Sequence, residues 1–510
     1  MPEPIHTPSD NPQPAPAEDL NHVMRIRLAK LERIREMGVE PYPYRFEQTH
    51  STADILNRWD DYQNAGAPVK IAGRLMAIRL MGKAAFAHLQ DEEHRIQIYF
   101  KRDHLGDEGW ELFKLLDIGD IIGLSGRLFR TKTGERTIEV SAFALLSKNI
   151  RPLPAIKERE GEVWNRWADM EERCRYRTID LLVNRDSRDV FMKRSRMVGA
   201  LRAFMDMRGF MEVETPVFQP IYGGAAALPF VTQHHALDMQ LYLRIADELY
   251  LKRLIAGGLS RVYEIAKDFR NEGMDRLHSP EFTMLEFYAA YEDYHFCMQL
   301  VEEMLPAVAN VVNGTTIINW EGREIDLTPP YRRATMADLM KQTCGVEIIN
   351  RDRNALAQEA ASLGMTIDKT WGGGKIIDEL FSHQVQPNLI QPTFVLDYPI
   401  ELSPLAKRHR DNPYLVERFE LFIGGLETAN AFSELNDPQD QRRRFEEQAR
   451  VRAQGDEEAP PIDEDFLQAL EVGMPPTAGL GIGIDRLAML LTGCANIRDV
   501  ILFPVLRPKS

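Results

Sequence analysis

The hydrophobic and polar positions of this chain follow different periods in different regions, and each period predicts a different kind of element. Between residues 20 and 38 the apolar residues recur at helical spacing and the pattern ends at Gly38, which predicts one amphipathic helix. The exposed face of this helix is expected to be basic and to carry Arg25, Arg27, Lys30, Arg33 and Arg35. Such a face fits a solvated helix surface as well as contact with an RNA backbone.

From about residue 65 to 149 the pattern changes to short alternating runs, which are separated by glycine, aspartate and Lys-Thr-Gly turns. Five short strands in about eighty residues predict an all-β OB-fold barrel. Barrels of this kind bind single-stranded nucleic acid through stacked aromatic rings and basic side chains. The side chains expected to read bases are Arg79, Phe86, Gln97 and Glu135. Phe86 has the alternative of being a core residue, as strand phenylalanines usually are.

Beyond residue 186 helical and strand patterns mix, which predicts one large domain of helices and sheet. A long helix from Val190 to Arg208 leads into the stretch GFMEVETP, an apolar strand that Pro216 closes. Residues 261–288 predict a strand, a mobile loop and a returning strand. The expected organisation is a disordered tail (1–19), a helical segment (20–64), the barrel (65–149), a linker (150–185) and the large domain (186–510).

Composition narrows the class of protein. With 44% hydrophobic and 27% charged residues, the chain has the make-up of a globular protein with about two or three domains. No apolar run is long enough to span a membrane and the N-terminus is polar, so we expect no membrane anchor, no signal peptide and a cytoplasmic location. The four cysteines lie far apart, which argues against a zinc site and a disulfide framework.

The formal net charge is −15, which taken alone argues against a nucleic-acid binder because phosphate contacts need lysine and arginine. Net charge averages over the whole chain, however. An acidic protein can carry a local basic face, so the charge does not exclude an RNA substrate.

The strand-loop-strand segment 261–288 carries the clearest chemistry. Arg270 stands at the end of the first strand, Glu272 lies two residues on, and Phe282 is on the returning strand. A guanidinium placed there can hold phosphate, a carboxylate can accept from adenine, and a ring can stack on the base. Taken alone, Arg270 and Glu272 could form a surface ion pair. The GLGIGIDR segment, 479–486, could be a glycine-rich turn that opens a helix, or part of a dinucleotide site.

Together these segments resemble the signature motifs of class II aminoacyl-tRNA synthetases. The long helix with GFMEVETP resembles the first motif, residues 261–288 resemble the second and residues 479–486 resemble the third, in that order. With an OB-like domain in front of them, the set is similar to subclass IIb, the aspartyl, asparaginyl and lysyl enzymes. The resemblance implies an α+β catalytic domain on an antiparallel sheet with flanking helices, a homodimer, and ATP and tRNA as substrates.

Charge distinguishes the three amino acids, because a pocket for lysine needs carboxylates that meet an ammonium. The candidate pocket resembles that of bacterial-type lysyl-tRNA synthetases, and its residues are Gly224, Glu248, Glu286, Tyr288, Asn430, Phe432 and Glu434. A neutral side chain of similar length would leave a buried carboxylate unpaired. Each glutamate alone could instead belong to a structural ion pair. The resemblance implies ATP-dependent attachment of L-lysine to tRNA(Lys) through a lysyl-adenylate.

The same resemblance implies a role for each motif residue. Arg270 would bridge the amino-acid carboxylate and the α-phosphate of ATP, and Arg486 would hold the far end of the triphosphate. Glu272 and Phe282 would hold adenine, with His278 on the phosphate side. The base-reading residues of the barrel would contact the anticodon.

Glu420 and Glu427 are the expected ligands of Mg²⁺. Their spacing in a single strand would put the two side chains on opposite faces, so a turn or bulge near Gly424 and Gly425 must bring them together. Clustered carboxylates combined with phosphate suit Mg²⁺.

The sequence departs from the lysyl pattern at Leu228, Gln233, His235 and Ser279, which bear on ATP contacts more than on the choice of amino acid. Three alternatives remain: an aspartyl or asparaginyl enzyme, a relative that modifies a protein such as elongation factor P, and an RNA-binding module with an inactive catalytic domain. The pocket glutamates argue against the first, the OB-like domain against the second, and the intact motif residues against the third.

Overall fold

A computed structural model of the chain describes residues 22–92, 94–154, 157–159, 162–164, 169–368, 371–453 and 460–508. The tail expected at residues 1–19 lies outside the described residues. The chain divides into two compact units, residues 1–165 and 166–510.

The first unit is built around a closed barrel. Its strands are β1 (Val69–Met81), β2 (Ala84–Gln90), β3 (Arg95–Lys101), β4 (Ile121–Arg130) and β5 (Arg136–Ser147). They close in the order β1-β2-β3-β5-β4, in which only β3 and β5 run parallel. This confirms the five-stranded barrel that the alternating pattern predicts. The other elements of the unit are α1 (His22–Glu36), α2 (Thr52–Asn57), α3 (Trp59–Ala65), α4 (Arg102–Lys114) and the hairpin strands β6 (Lys157–Arg159) and β7 (Glu162–Trp164).

The basic face of α1 differs from the prediction. Arg27 is buried and donates to the backbone carbonyl oxygen of Asn149 at 3.2 Å. Lys30 is half-buried and forms an ion pair with Asp117 at 2.7 Å. The prediction that both cations are exposed is wrong, because each satisfies a polar group of its own unit. The exposed basic residues of the helix are Arg25, Arg33 and Arg35.

The second unit contains helices and several sheets. Its helices are α5 (Met170–Arg175), α6 (Arg177–Val183), α7 (Arg185–Asp206), α8 (Glu248–Ala256), α9 (Tyr294–Asn313), α10 (Met336–Cys344), α11 (Arg353–Ser362), α12 (Gly373–Gln384), α13 (Pro438–Ala453), α14 (Glu464–Gly473), α15 (Ile484–Thr492) and α16 (Ile497–Val500). Its strands are β8 (Met211–Glu212), β9 (Phe218–Gln219), β10 (Val231–His234), β11 (Met239–Leu243), β12 (Arg261–Phe269), β13 (Glu281–Ala290), β14 (Ile317–Trp320), β15 (Arg323–Asp326), β16 (Arg332–Thr335), β17 (Thr393–Pro399), β18 (Leu415–Ile423), β19 (Leu426–Ser433) and β20 (Thr477–Gly483).

The central sheet has the strand order β16-β17-β18-β19-β20-β13-β12-β8. Neighbouring strands are antiparallel except at the two ends, where β16 is parallel to β17 and β8 is parallel to β12. Helices α7, α9 and α15 share one hydrophobic core with this sheet, which includes Leu201, Phe287 and Leu487. The arrangement confirms the predicted α+β class, with an antiparallel sheet flanked by helices.

The long helix and the strand after it differ from the prediction in extent. Helix α7 begins at Arg185, before the expected Val190, and β8 contains only two residues at the sheet edge. Leu201 and Met205 are fully buried in the core of their own unit. These two apolar positions of the helix, which we call its apolar stripe, therefore pack on its own sheet.

Strands β18 and β19 are joined by Gly424 and Gly425, both of which have positive φ angles (62° and 78°). A register shift between Leu421 and Phe422 adds a bulge. The side chain of Trp320 lies against Gly424 so closely that a Cβ there would collide with it. The turn that the spacing of Glu420 and Glu427 requires is therefore present.

In the parts of the chain that the structure describes, no helix has both the length and the apolarity needed to cross a membrane.

Candidate active site

A cavity of about 1400 Å³ lies over the central strands of the large sheet. Residues of β13, β19 and β20, of α8 and of the loop between β12 and β13 line it. The structure brings together in this one cavity the candidates Gly224, Glu248, Arg270, Glu272, His278, Phe282, Glu286, Tyr288, Glu427, Asn430, Phe432, Glu434 and Arg486. Ser279, one of the departures from the lysyl pattern, also lines it.

The loop between β12 and β13 holds the first guanidinium. The backbone N–H of Arg270 donates to the carbonyl oxygen of Pro280 at 2.9 Å, which ties the two ends of the loop together. The guanidinium of Arg270 lies over the ring of Phe282, 5.0 Å from its centre, a cation–π contact that keeps the charge at the cavity wall. Glu272 is exposed on the loop and faces the same cavity.

The second guanidinium belongs to Arg486, in the first turn of α15 directly after β20. It donates to Nε2 of His278 at 3.1 Å, and the Nδ1 atom of that ring is 2.8 Å from Asp275. It also donates to the backbone carbonyl oxygen of Glu427 at 2.9 Å. Arg486 and Arg270 thus present two fixed cations to one cavity, which suits a polyphosphate.

Another part of the cavity is acidic and buried. Glu248, Glu286 and Glu434 are between 1% and 8% exposed, and the hydroxyl of Tyr288 donates to Glu286 at 3.1 Å. A Cβ at Gly479 would collide with the Glu434 carboxylate and the Tyr288 ring, so only glycine at that position leaves room for both. Close-packed carboxylates in such a pocket favour a cationic ligand.

Three further candidates complete the pocket. Gly224 has a positive φ of 88°, and a Cβ there would approach the Cβ of Glu248 to 3.2 Å. Asn430 accepts from the guanidinium of Arg418 at 3.1 Å, and that guanidinium lies 5.4 Å from the ring centre of Phe432. Arg418 therefore orients two pocket residues, although no sequence motif pointed to it.

Lys252 is an internal cation of the acidic pocket that sequence reasoning missed. Its side chain is fully buried, and its ammonium pairs with both Glu248 and Glu434, the latter at 2.5 Å. Burial lowers the pKa of Lys252, but the two glutamates raise it more, so the net shift is upward and the group stays charged. Its spacing of four residues from Glu248 on α8 was a signal for an ion pair. Its second partner, Glu434, is far away in the sequence, so no local pattern indicated that contact.

The two expected metal ligands lie on either side of the Gly424–Gly425 turn. Glu427 lines the cavity, whereas Glu420 does not and is held by Arg418 at 2.5 Å and by the hydroxyl of Tyr398 at 2.9 Å. Burial and the negative charge of Glu427 raise the pKa of Glu420 to about 7, against the opposing effect of Arg418. The negative charge of Glu427 therefore disfavours ionisation of Glu420, and a bound cation would relieve this repulsion.

The barrel candidates lie in the first unit. Phe86 on β2 is half-buried, so it is not a core residue. It pairs with Arg79 on β1 and with Tyr99 on β3. The rings of Phe86 and Tyr99 are 4.7 Å apart, and Phe129 continues the row 6.0 Å beyond Tyr99. This row of three half-buried rings, which includes two that the sequence did not single out, has the character of a stacking platform.

The two polar candidates of the barrel behave differently. Gln97 accepts a hydrogen bond from Thr137 at 2.8 Å and is half-buried, whereas Glu135 is exposed in the turn before β5. Glu135 is free to reach a ligand, while Gln97 is already oriented by its neighbour.

Comparison with known proteins agrees with this geometry. Residues 169–507 match the family described as tRNA synthetases class II (D, K and N), and residues 69–146 match the OB-fold nucleic acid binding domain. A lysine–tRNA ligase of Moorella thermoacetica is 54% identical over 491 residues, which cover 96% of this chain and 99% of that protein. A lysine–tRNA ligase of Thermoanaerobacter sp. is 53% identical over 97% of both chains, and one of Chloroflexus aurantiacus is 52% identical over 96% of this chain and 99% of its own.

Proposed function

This chain belongs to the class II tRNA synthetases and, within them, to the lysine–tRNA ligases, and from that premise we propose how its residues attach L-lysine to tRNA(Lys). The carboxylate of lysine attacks the α-phosphorus of ATP, which forms lysyl-adenylate and releases pyrophosphate. The terminal ribose hydroxyl of the tRNA then takes the lysyl group and AMP leaves. The observation that carries this assignment is the buried acidic pocket in the same cavity as Arg270 and Arg486.

The first step needs positioning and charge neutralisation more than proton transfer. The attacking carboxylate is already ionised at neutral pH, so no general base is required. Arg270 bridges this carboxylate and the α-phosphate, and Arg486, with His278 beside it, holds the far end of the triphosphate. Phe282 and Glu272 hold adenine by stacking and by accepting from its amino group. These groups act on the charge of the transferring phosphate, where fixed donors contribute most.

Lysine is selected by the charge of its pocket. Lys252 carries one positive charge between Glu248 and Glu434, and burial raises the pKa of Glu434 to about 8 although Lys252 opposes the shift. When both glutamates are ionised, which a bound ammonium favours, this ion-paired group is negative by one. Glu286, with the Tyr288 hydroxyl on it, adds a further carboxylate. An ammonium of the substrate completes the balance, whereas a neutral side chain would leave a buried carboxylate without a partner. An acidic amino acid would be repelled, which argues against the aspartyl alternative.

The donor set at the Gly424–Gly425 turn fits Mg²⁺, because hard carboxylate oxygens beside a phosphate site are the ligands this ion prefers. Glu427 would hold it from the cavity wall with Glu420 behind. When bound, Mg²⁺ neutralises charge on the triphosphate; the orientation of lysine and adenine is the task of the protein groups described above.

The barrel supplies the contact to tRNA. The ring row of Phe86, Tyr99 and Phe129 would stack on anticodon bases, with Arg79, Gln97 and Glu135 around it. The division into tail, helical segment, barrel (65–149), linker and catalytic domain (186–510) is part of this proposal, as is a cytoplasmic location.

A homodimer is also part of the proposal. Strand β8, at one edge of the large sheet, carries the exposed apolar residue Met211 (51%). Strands β9 and β10, the two edges of a three-stranded sheet with the order β10-β11-β9, carry Phe218 (57%) and Val231 (58%). Exposed apolar residues on an edge strand favour pairing with a second copy, which covers them with the same surface.

Lysine-dependent exchange between ATP and pyrophosphate tests the activation step directly. We expect exchange with L-lysine and Mg²⁺, and none with aspartate or asparagine, because only the cationic amino acid matches the pocket. An enzyme that exchanges better with aspartate, or not at all with lysine, would contradict the assignment.

A further inference from the structure

Behind Glu286 of the acidic pocket lie two further carboxyls, Asp247 and Asp268, that the reaction described above does not use. Asp247 directly precedes α8, Asp268 is in β12 and Glu286 is in β13, and a carboxylate oxygen of each lies within 4.8 Å of the other two. Asp247 and Asp268 are 0% exposed and Glu286 is 8% exposed. Of the three, Glu286 lines the cavity, so the other two stand behind it, away from the substrate.

The cations near this cluster are already engaged. The guanidinium of Arg244 donates to Glu264 at 2.8 Å and to the backbone of Thr215 and Lys267, and its Nε is 3.4 Å from Asp268. Both oxygens of Asp247 are buried and have no hydrogen-bond donor among the described residues. Both oxygens of Asp268 also lack a hydrogen-bond donor in the parts of the chain that the structure describes, and Arg244 approaches that carboxyl only at 3.4 Å. Among the same residues Asp247 has no such cation beside it, so leaving Asp247 ionised there is costly.

Three carboxyls so close together and so deeply buried cannot all be ionised. Burial, with the neighbouring acids Asp268 and Glu264, raises the pKa of Asp247 well above its usual range. Burial, with Asp247, Asp268 and Glu248, does the same for the pKa of Glu286. Burial raises the pKa of Asp268 to about 6, although Arg244 and Arg270 oppose the shift.

We propose that Asp247 is a positioning residue that shares a proton with Glu286 in this cluster, and that binding of the cationic amino acid beside Glu286 expels the proton to solvent. The inference rests on the proposed function, in which Glu286 faces the substrate. In the free protein the shared proton removes one of the three negative charges of the cluster. In the complex the ammonium replaces it, so lysine binding exchanges one cation for another.

Because of this exchange, the affinity for the amino acid depends on the charge of Asp247, which lies behind Glu286 and does not contact the ligand. A neutral analogue cannot displace the proton and meets a protonated Glu286, which is a weaker acceptor. The charged and titratable groups that face Asp247 or Glu286 are Asp268, Glu264, Arg244, Glu248 and Tyr288, and Arg270 acts on Asp268 beside them. On β20 the register partner of Glu286 is Gly481, which adds no charge.

The sign of the pH dependence follows from this exchange. Because lysine binds the deprotonated cluster, its affinity rises with pH for as long as the free cluster is still protonated. For one proton the slope is at most about tenfold in Kd per pH unit. Within that pH range, one proton leaves the cluster for every lysine that binds.

The number of protons released can be measured by calorimetric titration of the full-length protein with L-lysine between about pH 6 and 8. The titration is repeated in buffers of different ionisation enthalpy, because the heat then depends on the protons that the buffer takes up. We expect the wild type to release a proton, and Asp247→Asn to release less than half as much, with a flatter dependence of Kd on pH. The substitution keeps the size of the side chain and removes the titratable neighbour of Glu286. Glu434 and Lys252 are present in both proteins, so the difference isolates Asp247.

The matched control is Asp397→Asn. Burial also raises the pKa of Asp397, but this residue contacts Tyr294 and His409 and does not line the cavity. It should leave proton release unchanged. Thermal unfolding and ATP–pyrophosphate exchange at saturating lysine check that each variant is folded.

Equal proton release from the wild type and Asp247→Asn overturns the inference. So does one equivalent of divalent metal in the purified wild type that Asp247→Asn lacks, because a cation would then neutralise the cluster. If the wild type binds lysine and the heat of binding does not depend on the buffer, no proton is released. That result contradicts the shared proton and leaves the proposed function intact. If the wild type does not bind lysine at any pH, both the shared proton and the proposed function are contradicted.

Discussion

At the scale of single residues, the pocket is defined as much by its internal cation as by its glutamates. Lys252 pairs with Glu248 and Glu434 and is fully buried, so the pocket is partly neutralised before any substrate arrives. A pocket with every carboxylate bare would be costly to fold. With one cation built in, the excess negative charge is small enough to bury and still large enough to require an ammonium.

Glu434→Gln tests this balance. The substitution keeps the volume of the side chain and removes one charge, which leaves Lys252 facing Glu248 alone. Loss of a charge-assisted hydrogen bond costs about 1.5–3 kcal/mol, so we expect lysine affinity to fall by about 10- to 150-fold while the KM for ATP stays the same. Exchange of pyrophosphate with ATP at varied lysine and varied ATP measures both.

Glu417→Gln is the matched control for that variant. Glu417 is also a buried glutamate, but it pairs with Arg410 and Ser433 and does not line the cavity. It should lower stability without changing lysine affinity. Equal losses for lysine and ATP in Glu434→Gln would mean that the residue supports the fold and does not recognise the substrate.

At the scale of elements, the local pattern of apolar and polar residues predicted which segments form strands and helices and in what order. The strand-loop-strand of motif 2 became β12 and β13, and GLGIGIDR became the end of β20 and the start of α15. The extents of α7 and β8 were not predicted well, because the sheet edge, and not the sequence pattern, decides where that strand ends. Arg418 was missed because its contact to Asn430 exists only once β18 pairs with β19.

The acidic cluster behind the pocket could not be predicted from the sequence either, because it forms only when the strands pair. Asp247 and Asp268 are ordinary single aspartates in the sequence, one before a helix and one at a strand end. Only the pairing of β12 with β13 and the placement of α8 bring them to Glu286. Motif residues could be named from sequence because they repeat a family pattern, whereas the groups that set their charge state could not.

The ring row on the barrel gives a prediction at this scale. Phe86→Ala removes a half-buried ring next to Tyr99, and base stacking contributes about 1–3 kcal/mol per base. We expect the kcat/KM for tRNA charging to fall by about 5- to 150-fold, with ATP–pyrophosphate exchange unchanged, because adenylate forms in the other unit. Aminoacylation and exchange assays on one preparation separate the two.

Phe143→Ala is the control for the ring row. Phe143 is also a partly buried ring on the barrel, but it packs on the core through Phe100, away from the row. Its loss should lower the melting temperature and leave charging intact. If Phe86→Ala impaired both half-reactions equally, the ring would have a structural role only.

At the scale of the whole molecule, the net charge of −15 and an RNA substrate are compatible because the charges are separated. The acidic excess includes the buried carboxylates that face lysine, whereas the proposed tRNA contact is a row of rings on the barrel with Arg79 beside it. Recognition of the two substrates therefore depends on different chemistry in different units, and the two half-reactions can be impaired independently.

The subunit structure is the last prediction. Since the apolar stripe of α7 packs on its own sheet, we expect a homodimer to use the edge strands, where Met211 and Phe218 are exposed. Phe218→Glu places a charge on edge strand β9 and should convert a dimer into single chains, whereas Val472→Glu, at a site that is 80% exposed outside those strands, should not. Light scattering at assay concentration measures the mass of each, and exchange activity is followed in parallel. A wild-type species of one-chain mass with full activity would refute the dimer.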